Sequence, residues 1–116
     1  MKYLKDGKRV VTGSADGTIA IFDISSSSKK PIVKKGHNMK IFSLDVDSDE
    51  KMMVSCGSGN EMVFWDFENM KIMKKVRADS FCTYNCKFLY GTIYVAASTQ
   101  NGQLKLYNTF NFDVSA

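Results

Sequence analysis

The sequence predicts an all-β chain made of about three four-stranded antiparallel units set side by side. Three observations lead there. A twelve-residue pattern occurs three times: TGSADGTIAIFD from Thr12 to Asp23, SCGSGNEMVFWD from Ser55 to Asp66, and ASTQNGQLKLYN from Ala97 to Asn108. The copies end 43 and 42 residues apart, at Asp23, Asp66 and Asn108, and a period of roughly 40–45 residues is that of a unit of four short strands. Each copy is also a strand, a Gly-containing turn and a second strand, the sequence signature of a hairpin.

The elements follow in order on that ruler. In the first repeat, Met1 falls inside an inner strand, and Asp6-Gly7 and Asp16-Gly17 make hairpin turns, since Gly takes positive φ at little cost. Val10–Ser14 and Thr18–Asp23 are strands, Ile24–Lys30 with its four serines is a solvated connection, and Pro31–Lys35 is an outer strand. Pro and Lys suit a sheet edge, where they discourage pairing with other chains. The second repeat runs from Gly36-His37 through strands at Ile41–Val46, Met52–Cys56, Met62–Phe67 and Lys71–Arg77. The third has strands at Thr83–Phe88, Ile93–Ala97 and Gln103–Tyr107, and room for only part of an outer strand after Thr109. The repeats are thus 1–35, 36–77 and 78–116, with the first truncated at its start and the third at its end.

Alternate positions in the third strands place Ile19, Ile21, Met62, Phe64, Leu104 and Leu106 on one face. Ala20, Phe22, Val63, Trp65, Lys105 and Tyr107 lie on the other. A sheet with one wet side alternates apolar and polar, whereas both faces here are mostly apolar, as in a sheet held between two neighbours. Lys105 is expected near a rim or an unpacked face.

The 116 residues, 44% hydrophobic and 24% charged, suffice for one modest folded domain. The net charge of +4 is spread over the chain in small Lys clusters, and a nucleic-acid binder usually gathers its charge on one face. The three cysteines, Cys56, Cys82 and Cys86, have no paired spacing, which fits a reducing compartment, with Cys82 and Cys86 as small core residues. One His and no C-x-x-C argue against zinc. Asp45, Asp47 and Asp49 open like a calcium loop, but Glu50 and Cys56 stand where that loop needs Gly and Glu. Gly57-Ser58-Gly59 lacks the G-K-S/T of a phosphate loop. No Ser or Cys has a matching base and orienting acid at a recognisable spacing. No cofactor, metal or catalytic residue is expected. No run approaches the ~18 apolar residues of a membrane helix, and an intracellular setting, cytoplasmic or nuclear, is expected.

Gly36-His37, Ser55, Trp65-Asp66, Thr12 with Asp16-Gly17, and Phe22-Asp23 together resemble the WD-repeat family of β-propellers, over residues 1 to about 108. The resemblance implies a partial propeller of about three blades, incomplete at both ends. It also implies a blade lock, a hydrogen-bonded chain of His, Ser or Thr, Trp and an acid. His37, Ser55 and Trp65 fill it in the second repeat, with Gly59 at the acid position; Thr12 and Asp16 remain in the first, where Phe22 replaces Trp. Propellers close with typically four to eight blades, so the chain is expected to be a fragment, a truncated gene product or one part of a larger ring, and not a stable monomer alone. The family further implies a non-enzymatic scaffold that binds proteins or peptides on one loop face, here at Lys40, Phe42 and Ser58, at Cys82, Tyr84 and Gln100, and at Ala15. The remaining blades of the same propeller are the other expected partners. An RNA-associated propeller of a ribosome-assembly or splicing complex is the alternative; nucleic acid is not favoured, and no membrane partner is expected.

Overall fold

Hairpin chemistry sets the topology. Asp16-Gly17 closes the turn between the first pair of long strands, with Gly17 at a φ of 88°, where a side chain would be strained. Ser14 N–H donates to the Thr18 carbonyl at 3.0 Å, and Gly17 N–H to the Ser14 carbonyl at 3.3 Å. Gly102, at a φ of 76°, serves the same purpose in the third repeat, where its N–H donates to the Thr99 carbonyl at 3.1 Å. The computed structural model describes residues 2–4, 8–24, 30–37, 40–58, 61–77, 83–89, 92–99 and 102–110. The expected turn at Asp6-Gly7, the serine run, Gly59, Cys82 and Gln100 lie outside these residues.

The strands are β1 (Lys2–Tyr3), β2 (Arg9–Gly13), β3 (Thr18–Asp23), β4 (Ile32–Lys35), β5 (Ile41–Val46), β6 (Met52–Gly57), β7 (Glu61–Asp66), β8 (Lys71–Arg77), β9 (Thr83–Phe88), β10 (Tyr94–Thr99) and β11 (Leu104–Asn108). They form three antiparallel sheets, β1-β2-β3-β4, β5-β6-β7-β8 and β9-β10-β11. The fold is all-β and follows the repeat ruler. β10 extends two residues past its expected end because Thr99 N–H still donates to the Gln103 carbonyl at 2.9 Å, carrying the ladder up to the turn. β2 starts and stops one residue early, since Ser14 belongs to the turn.

Side-chain alternation then decides the packing. Val11, Ile19 and Ile21 of the first sheet meet Leu44, Val46, Met53, Val63 and Trp65 of the second in one buried cluster. On its other face the second sheet offers Val54, Cys56, Met62 and Phe64 to Cys86, Val95, Ala97 and Tyr107 of the third. Both faces of the middle sheet are therefore covered. The outer faces of the first and third sheets stay apolar and open, with Phe22 42% and Leu104 67% exposed. Each has a neighbouring sheet on only one side. Lys105 is half-buried near the β10–β11 turn, in register with Ala97 on the face turned to the second sheet. Cys56 and Cys86 are buried free thiols.

The edge strand β8 carries an irregularity of its own. Phe64 and Trp65 pair with Lys74 and Ile72, so Met73 is an extra residue, and it is 49% exposed. A bulge of this kind blunts an open edge. Phe64→Ala removes a fully buried ring and is expected to destabilise by about 3–5 kcal/mol. Met73→Ala is expected to stay within about 0.5 kcal/mol of the parent. Urea titration of the two variants checks the assignment, and equal midpoint losses would reject it.

Candidate functional site

Two constellations bear on function: a buried polar chain at the first sheet junction, and a loop edge beside it. Ser55 and Val63 are paired, as are Met53 and Trp65, so Ser55 and Trp65 are diagonal neighbours on one face. Trp65 Nε1–H donates to Ser55 Oγ at 3.0 Å. Ser55 Oγ lies 2.7 Å from His37 Nε2. All three residues are buried, and with Nε2 accepting the Ser55 hydroxyl proton every member is satisfied. The indole packs directly over Gly36, where a Cβ would fall on the Trp65 ring. The N–H groups of Gly36 and His37 both donate to the Gly17 carbonyl, at 3.2 and 3.1 Å. The chain of bonds thus links the indole of the second sheet to the hairpin turn of the first.

Burial pushes the His37 pKa below its ordinary value of 6.5; the Glu61 charge pulls it up and Lys75 pushes it further down. Ser55 is 0% exposed and accepts the Trp65 N–H, so its hydroxyl has no path to a substrate. This pair is built for packing and not for nucleophilic chemistry.

In the first sheet the polar residues are arranged differently from the expected lock. Asp16 is exposed and accepts hydrogen bonds from Ser14 Oγ, from Thr18 N–H at 3.0 Å and from Thr18 Oγ at 2.7 Å. These bonds hold its carboxyl down at about 2, the Ser14 hydroxyl contributing most. Asp16 caps its own turn. Thr12 pairs with Ala20 and shares the face of Phe22, the slot that Ser55 holds under Trp65. A Phe ring has no N–H for it to accept.

At the loop edge, β5 contains an extra residue. Ile41 pairs with Gly57 and Ser43 with Cys56, which leaves Phe42 as a bulge. β9 repeats the device: Ser98 pairs with Asn85 and Thr99 with Thr83, which leaves Tyr84 as the bulge residue. Bulges re-aim side chains and interrupt pairing. Gly57 makes the first one feasible, since a Cβ there would run into the Lys40 carbonyl, and Ser58 N–H donates to that carbonyl at 2.9 Å. Ile41 N–H donates to the Ser14 carbonyl at 3.1 Å. These bonds bring Lys40, Phe42 and Ser58 to one edge with the turn that holds Ala15. Lys40 and Ala15 are exposed, Ser58 is half-buried and Phe42 is 47% exposed. Of the remaining expected rim positions, the backbone of Tyr84 lies in β9, and its side chain, Cys82 and Gln100 lie outside the described part.

The sequence reading missed a polar seam between the inner strands. Ser43 Oγ–H donates to Asn85 Oδ1 at 2.8 Å, and Phe88 N–H donates to Asp45 Oδ2 at 2.9 Å. Ser43 and Asn85 are 42 residues apart, so the ruler places them in one slot of adjacent repeats. Asp45 faces the third sheet, and Asp47 Oδ1 accepts Lys51 N–H at 2.9 Å and Met52 N–H at 3.3 Å to close its turn. At the opposite edge of the first two sheets, a cleft of about 230 Å³ is bordered by Arg9, Asp23, Lys30 and Glu68 over Phe67. It is smaller than the usual ~300–1,000 Å³ of a small-molecule site.

The family model described as eukaryotic translation initiation factor eIF2A matches residues 5–113. The chain belongs to the eIF2A family of WD-repeat β-propellers. It is 36% identical over 67 residues to the U3 small nucleolar RNA-associated protein 12 of Saccharomyces cerevisiae, a match covering 58% of this chain and 7% of that protein. To the intraflagellar transport protein 122 homolog of Danio rerio it is 32% identical over 107 residues, covering 91% of this chain and 8% of that protein. The β-propeller domain of Myceliophteria thermophila Cps50 (Swd1) superposes with a TM-score of 0.82 at 21% identity, over 98% of this chain and 36% of that one. U3-55K superposes with a TM-score of 0.87 at 15% identity, over 96% of this chain and 36% of that one. The chain therefore spans about a third of these solved propellers and under a tenth of these two relatives.

In this member of the family, Ser55→Ala leaves the Trp65 N–H and His37 Nε2 buried without a partner, an expected loss of about 1–3 kcal/mol that chemical denaturation measures. His37 gives the lock a pH dependence. Its folded pKa lies below the ordinary value, so the unfolded chain takes up the proton first as pH falls. Stability present above about 6.5 is then lost towards pH 5. His37 is the chain's one histidine, and His37→Gln is expected to flatten the stability profile between pH 7 and pH 5. An unchanged slope in the variant would assign the effect to another group.

Proposed function

We propose that this chain is a segment of a non-enzymatic WD-repeat scaffold, binding other proteins or peptides at the edge formed by Lys40, Phe42, Ser58 and Ala15 and continued by Tyr84. The observation that carries the proposal is the pair of bulges, which set an aromatic residue at the same slot of two adjacent sheets. A half-exposed ring beside an exposed Lys40 has the chemistry of an interface anchor. The rigid sheets beneath hold the loops in place, and specificity lies in the loops. The remaining blades of the propeller are the other partners in this reading, and it needs no cofactor. An intracellular setting, cytoplasmic or nuclear, agrees with the names of the two relatives, a small nucleolar RNA-associated and an intraflagellar transport protein, and with the buried thiols. No helix among the described residues is long and apolar enough to cross a membrane.

A second reading, an RNA-associated propeller in a ribosome-assembly or splicing complex, is favoured by two observations. One relative carries the name of a U3 small nucleolar RNA-associated protein, and the family description is that of a translation initiation factor. Lys34, Lys35, Lys71, Lys74 and Lys75 are also all exposed on the outer strands β4 and β8.

Quantitative affinity capture from cell extract separates the readings. The double variant Phe42→Ala with Tyr84→Ala is expected to lose protein partners while its far-UV circular dichroism is unchanged. An unaltered partner set would sink the rim proposal. Phosphate binding predicts a capture that falls steeply between low and moderate salt and disappears with nuclease, and the rim reading predicts neither.

A further inference from the structure

The junction between the first two sheets is filled near the inner strands and open at the outer ones. Residues paired across an antiparallel ladder share a face. Ile32 pairs with Ile21 and Lys34 with Ile19, while Ile72 pairs with Trp65 and Lys75 with Val63. Ile19, Ile21, Val63 and Trp65 all belong to the cluster between these two sheets. β4 and β8 therefore turn Ile32, Lys34, Ile72 and Lys75 into one seam. Ile32 is nonetheless 51% and Ile72 40% exposed, and both lysines are exposed. The two walls are four-stranded sheets of this chain. A blade added beside the first sheet would cover its other face, so the groove stays open in a closed ring.

The groove ends in the cleft of about 230 Å³. Ile21, Phe67 and Met70, all buried, make its floor, and Ile32 makes one wall. Met70 has a φ of 52°, a left-handed conformation that costs any residue with a side chain. The turn holds it there, with Asn69 Nδ2–H donating to Asp66 Oδ2 at 2.9 Å. Glycine would relieve the strain and leave the floor bare, whereas Met supplies a thioether chain that adapts to different apolar groups. An apolar cavity of about 150 Å³ already holds a benzene-sized group, so the cleft has room for one aliphatic or aromatic side chain.

Charge decides what carries that side chain. Lys75 is near enough to His37 to push its pKa down, and Lys34 stands two residues before Gly36, over which Trp65 packs. Ammonium groups from both walls thus stand over one apolar seam. Arg9 and Asp23 are paired in register and offset each other at the cleft, and Glu61 is half-buried. The exposed charges along the groove are Lys30, Lys34 and Lys75 against Glu68, an excess that favours an anionic occupant. We infer that this groove docks an extended acidic segment of a partner protein, with one aliphatic side chain seated in the cleft and Asp or Glu residues answering Lys34 and Lys75. Nucleic acid suits the lysines but not the floor, since an unpaired base stacks on an exposed ring and Phe67 is buried. The groove is separate from the Phe42 edge and does not depend on it.

The test follows the fluorescence anisotropy of a labelled nonapeptide, Asp and Glu residues around one central leucine, titrated with the full chain at moderate salt. The parent is expected to bind it, and to bind a matched peptide with serine in place of the leucine at least about tenfold more weakly. Ile32→Asp, and Lys34→Glu together with Lys75→Glu, are each expected to weaken the leucine peptide by at least about tenfold. All three positions are exposed, so the far-UV circular dichroism is expected to match the parent. Where Ile32→Asp does not fold, Ile32→Ser replaces it and is read the same way. Phe42→Ala with Tyr84→Ala is expected to bind the peptide as the parent does, so a failure of the groove and a failure of the rim show in different variants. A parent that ignores the leucine peptide overturns the inference. Equal affinity for the serine peptide reduces it to bulk charge and overturns it too. So do groove variants that bind like the parent, a rim variant that loses the peptide, and an oligouridylate of equal charge that competes as well as the peptide itself.

Discussion

Trp65 imposes two demands that the fold must meet together. Its ring needs an apolar niche, and its N–H needs an acceptor inside that niche. The niche exists because Gly36 has no side chain to occupy it, and because Val11, Ile19 and Ile21 of the first sheet close over the same cluster. The acceptor is Ser55, which stays satisfied through His37, and His37 is held by a backbone bond to Gly17 of the neighbouring turn. Loosening any part exposes the ring or orphans a buried polar atom, and either is costly. The register between the first two sheets follows from this point outward.

The second junction is secured by different means. Tyr107 stands where Trp65 does in the repeat, and Ala97 stands where Ser55 does, so no such polar chain is available. The contact rests on Val54, Cys56, Met62, Phe64, Cys86, Val95 and Tyr107, all buried, with Ser43–Asn85 and Asp45–Phe88 aligning the inner strands at its edge. Non-directional burial supplies the attraction, and the hydrogen bonds at the seam supply the register. The Asp45 carboxylate, buried at the sheet junction, is answered by a backbone N–H, as a buried polar group must be.

Most of the architecture was legible in the sequence because it rests on period and alternation. The 42-residue ruler reads directly as three sheets, and the Ser55–Trp65–His37 constellation follows from slots on that ruler and the family resemblance. Two features were not legible. A bulge changes which residue faces which by one position, and nothing in the residue types of Phe42 or Tyr84 announces it; it appears only when the strand pairs are laid side by side. Asp16 was assigned to the lock by its slot, but two hydroxyl neighbours, Ser14 and Thr18, compete for it within the turn. Local side-chain bonds over short separations win such competitions because little chain has to be ordered to make them.

The same separation of roles limits where recognition can reside. Substituting a strand residue of the middle sheet disturbs a face that is already filled on both sides, so the sheets have little freedom to be reshaped for a partner. The bulge edge is different. At Phe42 the ladder is interrupted, and the ring is half-exposed and not needed by either core cluster. The backbone beneath it is nonetheless fixed, by Ser58 on one side and the Ser14 turn on the other. A fixed backbone under a half-exposed ring is what the proposed contact surface calls for, because binding then orders few additional rotors. At Phe42 that combination arises from the one inserted residue of β5, and from the glycine at position 57 that lets the Lys40 carbonyl come close.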